Sequence, residues 1–264
     1  MWQWRTWQEL PYLTCLLLDE WQHGFFTRDF APREPHELTP ILSATASTHR
    51  FKQVHGNTVL TPAEADRTSE VEVDTGLPLA DGGISDKADQ AIWVATADCN
   101  PVLIADRGTK QVAAVHAGWR GTALEIVPAA VRRLQDRGAN LADIVVAIGP
   151  AIAAEVYQVS TQVGAEVCRT IVDIDETNTA SADGINAVVF AALSLPNPPL
   201  LPDSPPDRVR LDVRRVNALQ LEKMGIDPSH IAISDACTFR DDDRFFSYRR
   251  EKLKKIQWSG IVSG

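Results

Sequence analysis

Residues 91–117, AIWVATADCNPVLIADRGTKQVAAVHA, constrain the fold more than any other stretch. Three apolar runs, 91–98, 101–106 and 111–117, are separated only by Cys-Asn and by Arg-Gly-Thr-Lys. Runs rich in Val, Ile and Ala with little polar alternation read as strands covered on both faces. Gaps this short predict an antiparallel meander. Further strand-like runs occupy 143–149 and 230–234, and PYLTCLLL near the N-terminus reads as a core strand. Helical patterns cover 122–137, 160 to about 171, and 212–224. Thr122 and Glu125 have the spacing of a capping box, while Gly138 and Gly225 read as stops. Pro128 makes the first helix either kink or begin near that residue. Strands in runs with helices between the groups predict an α+β layered fold.

The chain has 264 residues and a formal net charge of -9. We expect one domain over 1–264, with SLPNPPLLPDSPPDR (194–208) as a surface loop. Its six prolines exclude helix and inner strand. The acidic balance argues against nucleic-acid binding, which needs a basic face. SYRREKLKK is a local basic run and reads as solvated surface. Four scattered cysteines, with no CxxC pair, do not form a disulfide framework. They fit free thiols in a reducing, cytoplasmic setting. PYLTCLLL is too short to span a bilayer, and the acidic residues around it make a poor signal peptide.

Cys99 and His116 stand at the ends of neighbouring strand-like runs, and His55 lies upstream in FKQVHGNTV. Each sits beside Gly, Pro or Asn, where side chains can converge on a cleft. Two histidines and a cysteine suit a catalytic zinc site with one position left open. The spacing is long, so these residues alone leave open a surface histidine and a buried structural thiol.

The order of blocks FKQVHGNTV, ATADCNPVLI, AAVHAGWRGT, AIGPAI, DVRRVNALQLEKMGI, SDACT and FFSYRRE resembles the laccase-domain purine nucleoside phosphorylase family, also known as multicopper polyphenol oxidoreductases or polyphenol oxidases. The resemblance runs from HGFFTR to SYRRE, nearly the whole chain. It implies a four-layer domain of helices, two central mixed sheets and helices, similar to cysteine hydrolases of the cytotoxic necrotizing factor type. It implies one zinc or copper ion held by His55, Cys99 and His116. It also implies phosphorolysis of adenosine, inosine, guanosine or methylthioadenosine, and adenosine deamination. Phenol oxidation and amidase editing of a peptidoglycan precursor are the family's other activities, and a non-enzymatic metal-binding module is a further alternative. Two blocks depart from the family pattern. Where GPCCYEV is usual the chain has AAEVYQV, and where RRDG-TGR is usual it has RREKLKKIQ. Both departures bear on substrate contacts and neither touches the metal triad.

An open metal position lowers the pKa of bound water toward neutrality, so catalysis is expected at Cys99 and His116. Phosphorolysis also needs an anion clamp, a role suited to the arginine fork. Arg120, one short turn beyond His116 and beside a helix start, is the first candidate. Arg28 and Arg249 follow. Asp98 either orients a histidine or caps a turn, and Asp81 lies either in the cleft or in a turn. Trp119 either stacks on a base or packs inside. His23 and Cys237 fall in family blocks outside the triad. The expected partners are a purine nucleoside and phosphate.

Overall fold

The central strands divide their side chains between two hydrophobic layers. In the strand Asn100–Asp106, Val102 and Ile104 pack with Ile126, Val131 and Leu134, whereas Leu103 and Ala105 pack with Phe25, Ile92 and Ile261. Val112–Ala117 and Ile144–Ile148 alternate in the same way. Successive side chains of a strand point to opposite faces, so a strand covered on both sides is apolar at both parities. Each fully buried Leu or Ile on these faces contributes about 1.5–3 kcal/mol. The computed structural model describes residues 1–174 and 181–264.

Two six-stranded mixed sheets stack on one another. The first has the order β1 (Trp2–Trp7), β2 (Leu10–Cys15), β3 (His23–Phe26), β15 (Gln257–Val262), β7 (Gln90–Thr96), β4 (Ser47–Arg50). The second has the order β14 (Ile231–Ile233), β10 (Ile144–Ile148), β8 (Asn100–Asp106), β9 (Val112–Ala117), β6 (Gly82–Ile84), β5 (Val59–Leu60). Helix α1 (Pro35–Leu42) covers the outer face of the first sheet through Leu38 and Leu42 against Phe26, Trp93 and Trp258. Trp93 Nε1 donates to Thr39 Oγ1 at 2.9 Å and so satisfies its buried N–H. The short helix α2 (Pro62–Ala65) follows β5 and carries a Thr61–Glu64 capping box. After β9 come α3 (Trp119–Ala123) and α4 (Ile126–Gln135). Helix α4, with α7 (Val213–Met224), covers the outer face of the second sheet. The order is therefore helix, sheet, sheet, helix, as the resemblance implied. Helices α5 (Thr161–Cys168) and α6 (Ala182–Leu193) pack on a small sheet, β11 (Gln158–Ser160), β13 (Arg208–Leu211), β12 (Leu200–Pro202), in a separate apolar cluster. The last helix, α8 (Tyr248–Glu251), precedes β15. Among the described residues, no helix is long and apolar enough to cross a membrane.

The structure corrects several expectations. Strands β7, β8 and β9 do not form one meander. β8 and β9 form a hairpin, but β7 belongs to the other sheet, between β15 and β4. The chain crosses from sheet to sheet through Ala97, Asp98 and Cys99, with Asp98 at a φ of 85°. The 122–137 pattern is two helices, broken where Glu125 takes a φ of 55°. Pro128 then lies in the first turn of α4, where its missing N–H costs no helical bond. Thr122 and Glu125 make no capping box, because Thr122 lies inside α3 and bonds Asn217. The proline-rich stretch contributes β12, an edge strand that tolerates Pro202 and buries Leu200.

Candidate metal centre

The two sheets meet at Cys99. It closes the crossover that leaves β7 and enters β8, and the β8–β9 hairpin pairs Pro101 with His116. That register brings His116 alongside the crossover. His55 comes from the loop between β4 and β5 and holds a left-handed φ of 63°. Ligand atoms of His55, Cys99 and His116 all lie within 4.8 Å of one another. The two imidazoles meet edge to face, with centroids 4.8 Å apart. Gly118, which follows the β9 end, makes room for the cluster. A Cβ there would lie 2.9 Å from Cys99 Sγ and 3.5 Å from His55 Cδ2.

Asp81 fastens two of the three. Its side chain is fully buried. Oδ2 accepts from Val54 N at 3.1 Å and Gly56 N at 2.8 Å, and Oδ1 accepts from His55 N at 2.8 Å. The Nδ1 of His116 lies 2.8 Å from Oδ1. One carboxylate therefore shapes the His55 loop and fixes the His116 ring. An ionised carboxylate accepts only, so Nδ1 carries a proton, and Nε2 is the nitrogen left to bind a metal once its own proton is displaced. Burial pushes the Asp81 carboxyl up, but the His116 hydrogen bond and the loop N–H donors outweigh it and hold the group below its usual range.

The cluster is a coupled ion pair. Burial raises the Cys99 thiol, yet the charge and hydrogen bonds of His116, then of His55, pull it down to about 6. His116 shows the converse, with burial overcome by the Cys99 charge and the Asp81 bond, which hold it above its ordinary value. A thiolate and a neutral imidazole are the forms that bind a metal. The donors fit zinc or copper in type and number. A loaded tetrahedron with bonds of roughly 2.0–2.3 Å has edges of about 3.5 Å, so the 4.8 Å span needs side-chain closure of about 1 Å. Among the described residues, this is the one group of three or more His, Cys, Asp or Glu side chains so arranged. It opens into a cavity of about 450 Å³ whose walls include Phe51, Leu77, Tyr248 and Trp258.

The other sequence candidates have different places. Asp98 does not touch a histidine. It accepts from Thr238 Oγ1 and from Arg249 N, each at 2.7 Å, and its carbonyl accepts from Ile152 N at 3.0 Å. These bonds offset the strain of its positive φ and tie the crossover to the C-terminal segments. Arg120 is exposed, with its guanidinium 4.5 Å from the Trp119 ring. Arg249 stacks at 4.9 Å over Tyr157 and donates to the Gln158 carbonyl. Arg28 pairs with Glu251 at 3.5 Å and lies 4.6 Å over Phe246. None of the three arginines lines the 450 Å³ cavity. Trp119 is half-buried against the α5–α6 cluster and, with Asn100 and Tyr157, borders a small cavity of about 30 Å³ behind Cys99. His23 is structural. Its Nε2 accepts from Cys15 N and its Nδ1 donates to the Trp21 carbonyl, both at 2.8 Å. Buried Cys237 receives Ala153 N at 3.3 Å.

Sequence reasoning underrates two features. It leaves Asp81 between a cleft and a turn, though DGG beside a strand, in a chain with a candidate His-Cys-His set, is where a carboxylate partner belongs. It also reads the basic run near the C-terminus as solvated surface. Residues 252–256 are exposed, as that reading has it, but 253–256 also wall the cavity, for which the sequence carries no local signal.

Residues 36–260 match the family model described as multi-copper polyphenol oxidoreductase laccase. A purine nucleoside phosphorylase of Synechocystis is 46% identical over 265 aligned positions, covering 100% of this chain and 97% of that protein. Another from Geobacillus stearothermophilus is 32% identical, covering 76% of this chain and 66% of that one. In fold, the crystal structure of YlmD from Geobacillus stearothermophilus superposes with a TM-score of 0.78 at 24% identity, over 98% of both chains. That of the Bacillus licheniformis hypothetical protein YfiH gives 0.76 at 25% identity, over 96% of both. With that match spanning most of its length, the chain belongs to the multi-copper polyphenol oxidoreductase laccase family.

Proposed function

We propose that the protein is a metal-dependent purine nucleoside phosphorylase, with His55, Cys99 and His116 holding one zinc or copper ion. The observation that carries this is the convergence of the three ligands on an open cavity, in a chain 46% identical along its full length to a protein of that name. A cavity of about 450 Å³ falls in the usual range for small-molecule sites, roughly 300–1,000 Å³. Its apolar walls can take the base face-on through Tyr248 and Trp258.

When bound, the ion supplies Lewis acidity and a water of lowered pKa. The chain's own groups do the rest. Asp81 keeps the His116 proton on Nδ1 and the ring in one orientation. Phe51, Leu77 and the aromatic walls exclude water from the base. In phosphorolysis a phosphate oxygen forms the bond to C1′ of the ribose. The N-glycosidic bond breaks, and its electron pair leaves with the base, which takes up a proton. Adenosine deamination is a separate step at a different carbon: water adds at C6 of the base, the C6–N bond breaks, ammonia leaves, and the glycosidic bond stays intact. Ammonia release without phosphate and ribose 1-phosphate formation with it separate the two activities.

The test combines metal analysis of purified protein with inosine, adenosine and guanosine assays, each with and without phosphate. Cys99→Ala should lose bound metal and turnover together, while Cys237→Ala keeps its metal. Full metal loading of Cys99→Ala removes the thiolate from the site. Metal-loaded wild type that releases no base from any nucleoside in phosphate ends the phosphorylase reading.

A further inference from the structure

The charges of the cavity do not balance. Four cations line it, Arg50, Lys52, Lys254 and Lys255, with two carboxylates, Glu34 and Glu72. Arg50 pairs with Glu34 at 3.2 Å and Lys52 with Glu72 at 2.6 Å. These pairs use both acids. Lys254 and Lys255 have no carboxylate partner among the described residues, although Lys255 lies 5.4 Å over the Phe246 ring. A divalent ion held by His55, Cys99 and His116 would outweigh the single negative charge of the Cys99 thiolate. The sign runs against the molecule as a whole, where 35 acidic side chains outnumber 26 basic ones. A local excess of cations on an acidic protein, in a concave wall, concentrates an anion there.

Backbone geometry explains how the lysines reach the cavity. Helix α8 ends at Lys252, whose φ of 57° turns the chain out of the helix. Residues 253–256 then run along the cavity wall before β15 begins at Gln257. Leu253 and Ile256, also on that wall, are 49% and 37% exposed, so the segment offers apolar surface and unpaired ammonium groups side by side.

We infer that Lys254, assisted by Lys255, is the binding site for the phosphate co-substrate. This rests on the phosphorylase reading. Lysine is a mobile point charge, and an exposed ammonium suits a small dianion that must bind, react and leave as an ester. The same chemistry could be met by the 5′-phosphate of a nucleotide, and the experiment separates the two.

The test uses the metal-loaded full-length protein, its Lys254→Ala, Lys255→Ala and double variants, and Lys254→Arg. Inorganic phosphate is titrated calorimetrically, and KM is measured separately for phosphate and for inosine. Removing both ammonium groups should weaken phosphate binding and raise its KM about tenfold, in line with hydrogen bonds to charged groups at an exposed site. KM for inosine and metal content should stay unchanged, and Lys254→Arg should recover most of the loss. Phosphate binding to the double variant with wild-type affinity overturns the proposal. So does a rise in inosine KM alone, or a dependence on the lysines shown by inosine 5′-monophosphate but not by inorganic phosphate. Failure of the wild type to cleave inosine would strike the phosphorylase reading instead, while the direct titration would still decide whether the lysines hold phosphate.

Discussion

Asp81→Asn changes one oxygen to NH₂ without changing shape, in a fully buried position with four donors converging on two oxygens. Val54 N and Gly56 N share Oδ2, while His55 N and His116 Nδ1 share Oδ1. An amide has one acceptor oxygen, so either placement leaves two donors facing an NH₂ group. If the amide oxygen stays with the loop, the NH₂ faces His116 Nδ1. The ring must then accept there and carry its proton on Nε2, the nitrogen that would bind the metal. If the oxygen stays at the Oδ1 position, His116 Nδ1 and His55 N keep their acceptor, and the loop loses the bonds of Val54 N and Gly56 N. Hydrogen bonds to a charged group are worth about 1.5–3 kcal/mol each, so losing two costs about 3–6 kcal/mol of stability. Loss of a carboxylate behind a ligating histidine lowers metal affinity about 10- to 100-fold. Urea unfolding of the metal-free protein measures the first quantity, and competition with a chromophoric zinc chelator measures the second. Asp81→Asn that binds zinc within about twofold of wild type would refute the claim that Asp81 sets the His116 tautomer.

Two other perturbations test separate parts of the structure. Gly118→Ala has an ordinary backbone for alanine, with φ -72° and ψ 171°, yet its Cβ would meet Cys99 Sγ at 2.9 Å; it should cut zinc affinity about tenfold or more with little change in the unfolding midpoint, and a large loss of stability at normal zinc affinity would contradict this. His23 is held below its ordinary pKa, first by burial; its contribution is therefore present above the unfolded value of about 6.5 and is lost as pH falls toward the lower folded value. His23→Gln should be less stable at pH 8 and show a shallower loss between pH 7 and 5, and an unchanged slope in urea melts across that range would assign the acid sensitivity elsewhere.

The layered architecture is legible because of where residues 101–106 and 111–117 put their apolar groups. Val102 and Leu103 belong to different cores, and only a strand sandwiched on both faces needs both. What the sequence does not distinguish is a tight hairpin from a crossing between sheets. Cys-Asn is short enough for either, and the choice rests on Asp98 being held at positive φ by Thr238 and Arg249, residues far along the chain. The break at Glu125 is hidden for a similar reason, since Thr122 finds its partner in α7 and α3 reaches α5, whereas α4 lies over β5, β6 and β8. At the site, chemistry makes the triad visible and topology keeps its surroundings hidden. His55, Cys99 and His116 are unusual residue types at element ends, whereas an aspartate in a glycine-rich turn and lysines near the C-terminus are ordinary in isolation.

The two departures from the family pattern fall on parts of the site that differ in kind from the ligands. Cys99 and His116 are fixed by the crossover between two buried sheets and by the β8–β9 register, and His55 is fixed by a carboxylate with no exposure. Moving any of them requires breaking buried hydrogen bonds or repacking a core, each a cost of kilocalories. Glu155 lies at the surface paired with Arg240, and Gln158 reaches Asp203. Residues 252–256 are exposed, and 253–256 touch the cavity from outside. Changes at 253–256 alter the charge and shape of the cavity wall, and changes at Glu155 or Gln158 alter the surface beside it, at little cost to the fold, since surface substitutions usually shift stability by less than about 0.5 kcal/mol. The cavity wall is therefore free to change while the positions of His55, Cys99 and His116 are not. On the proposed reading, substitutions along Leu253, Lys254, Lys255 and Ile256 should change how the anion is held and leave ion binding by His55, Cys99 and His116 intact.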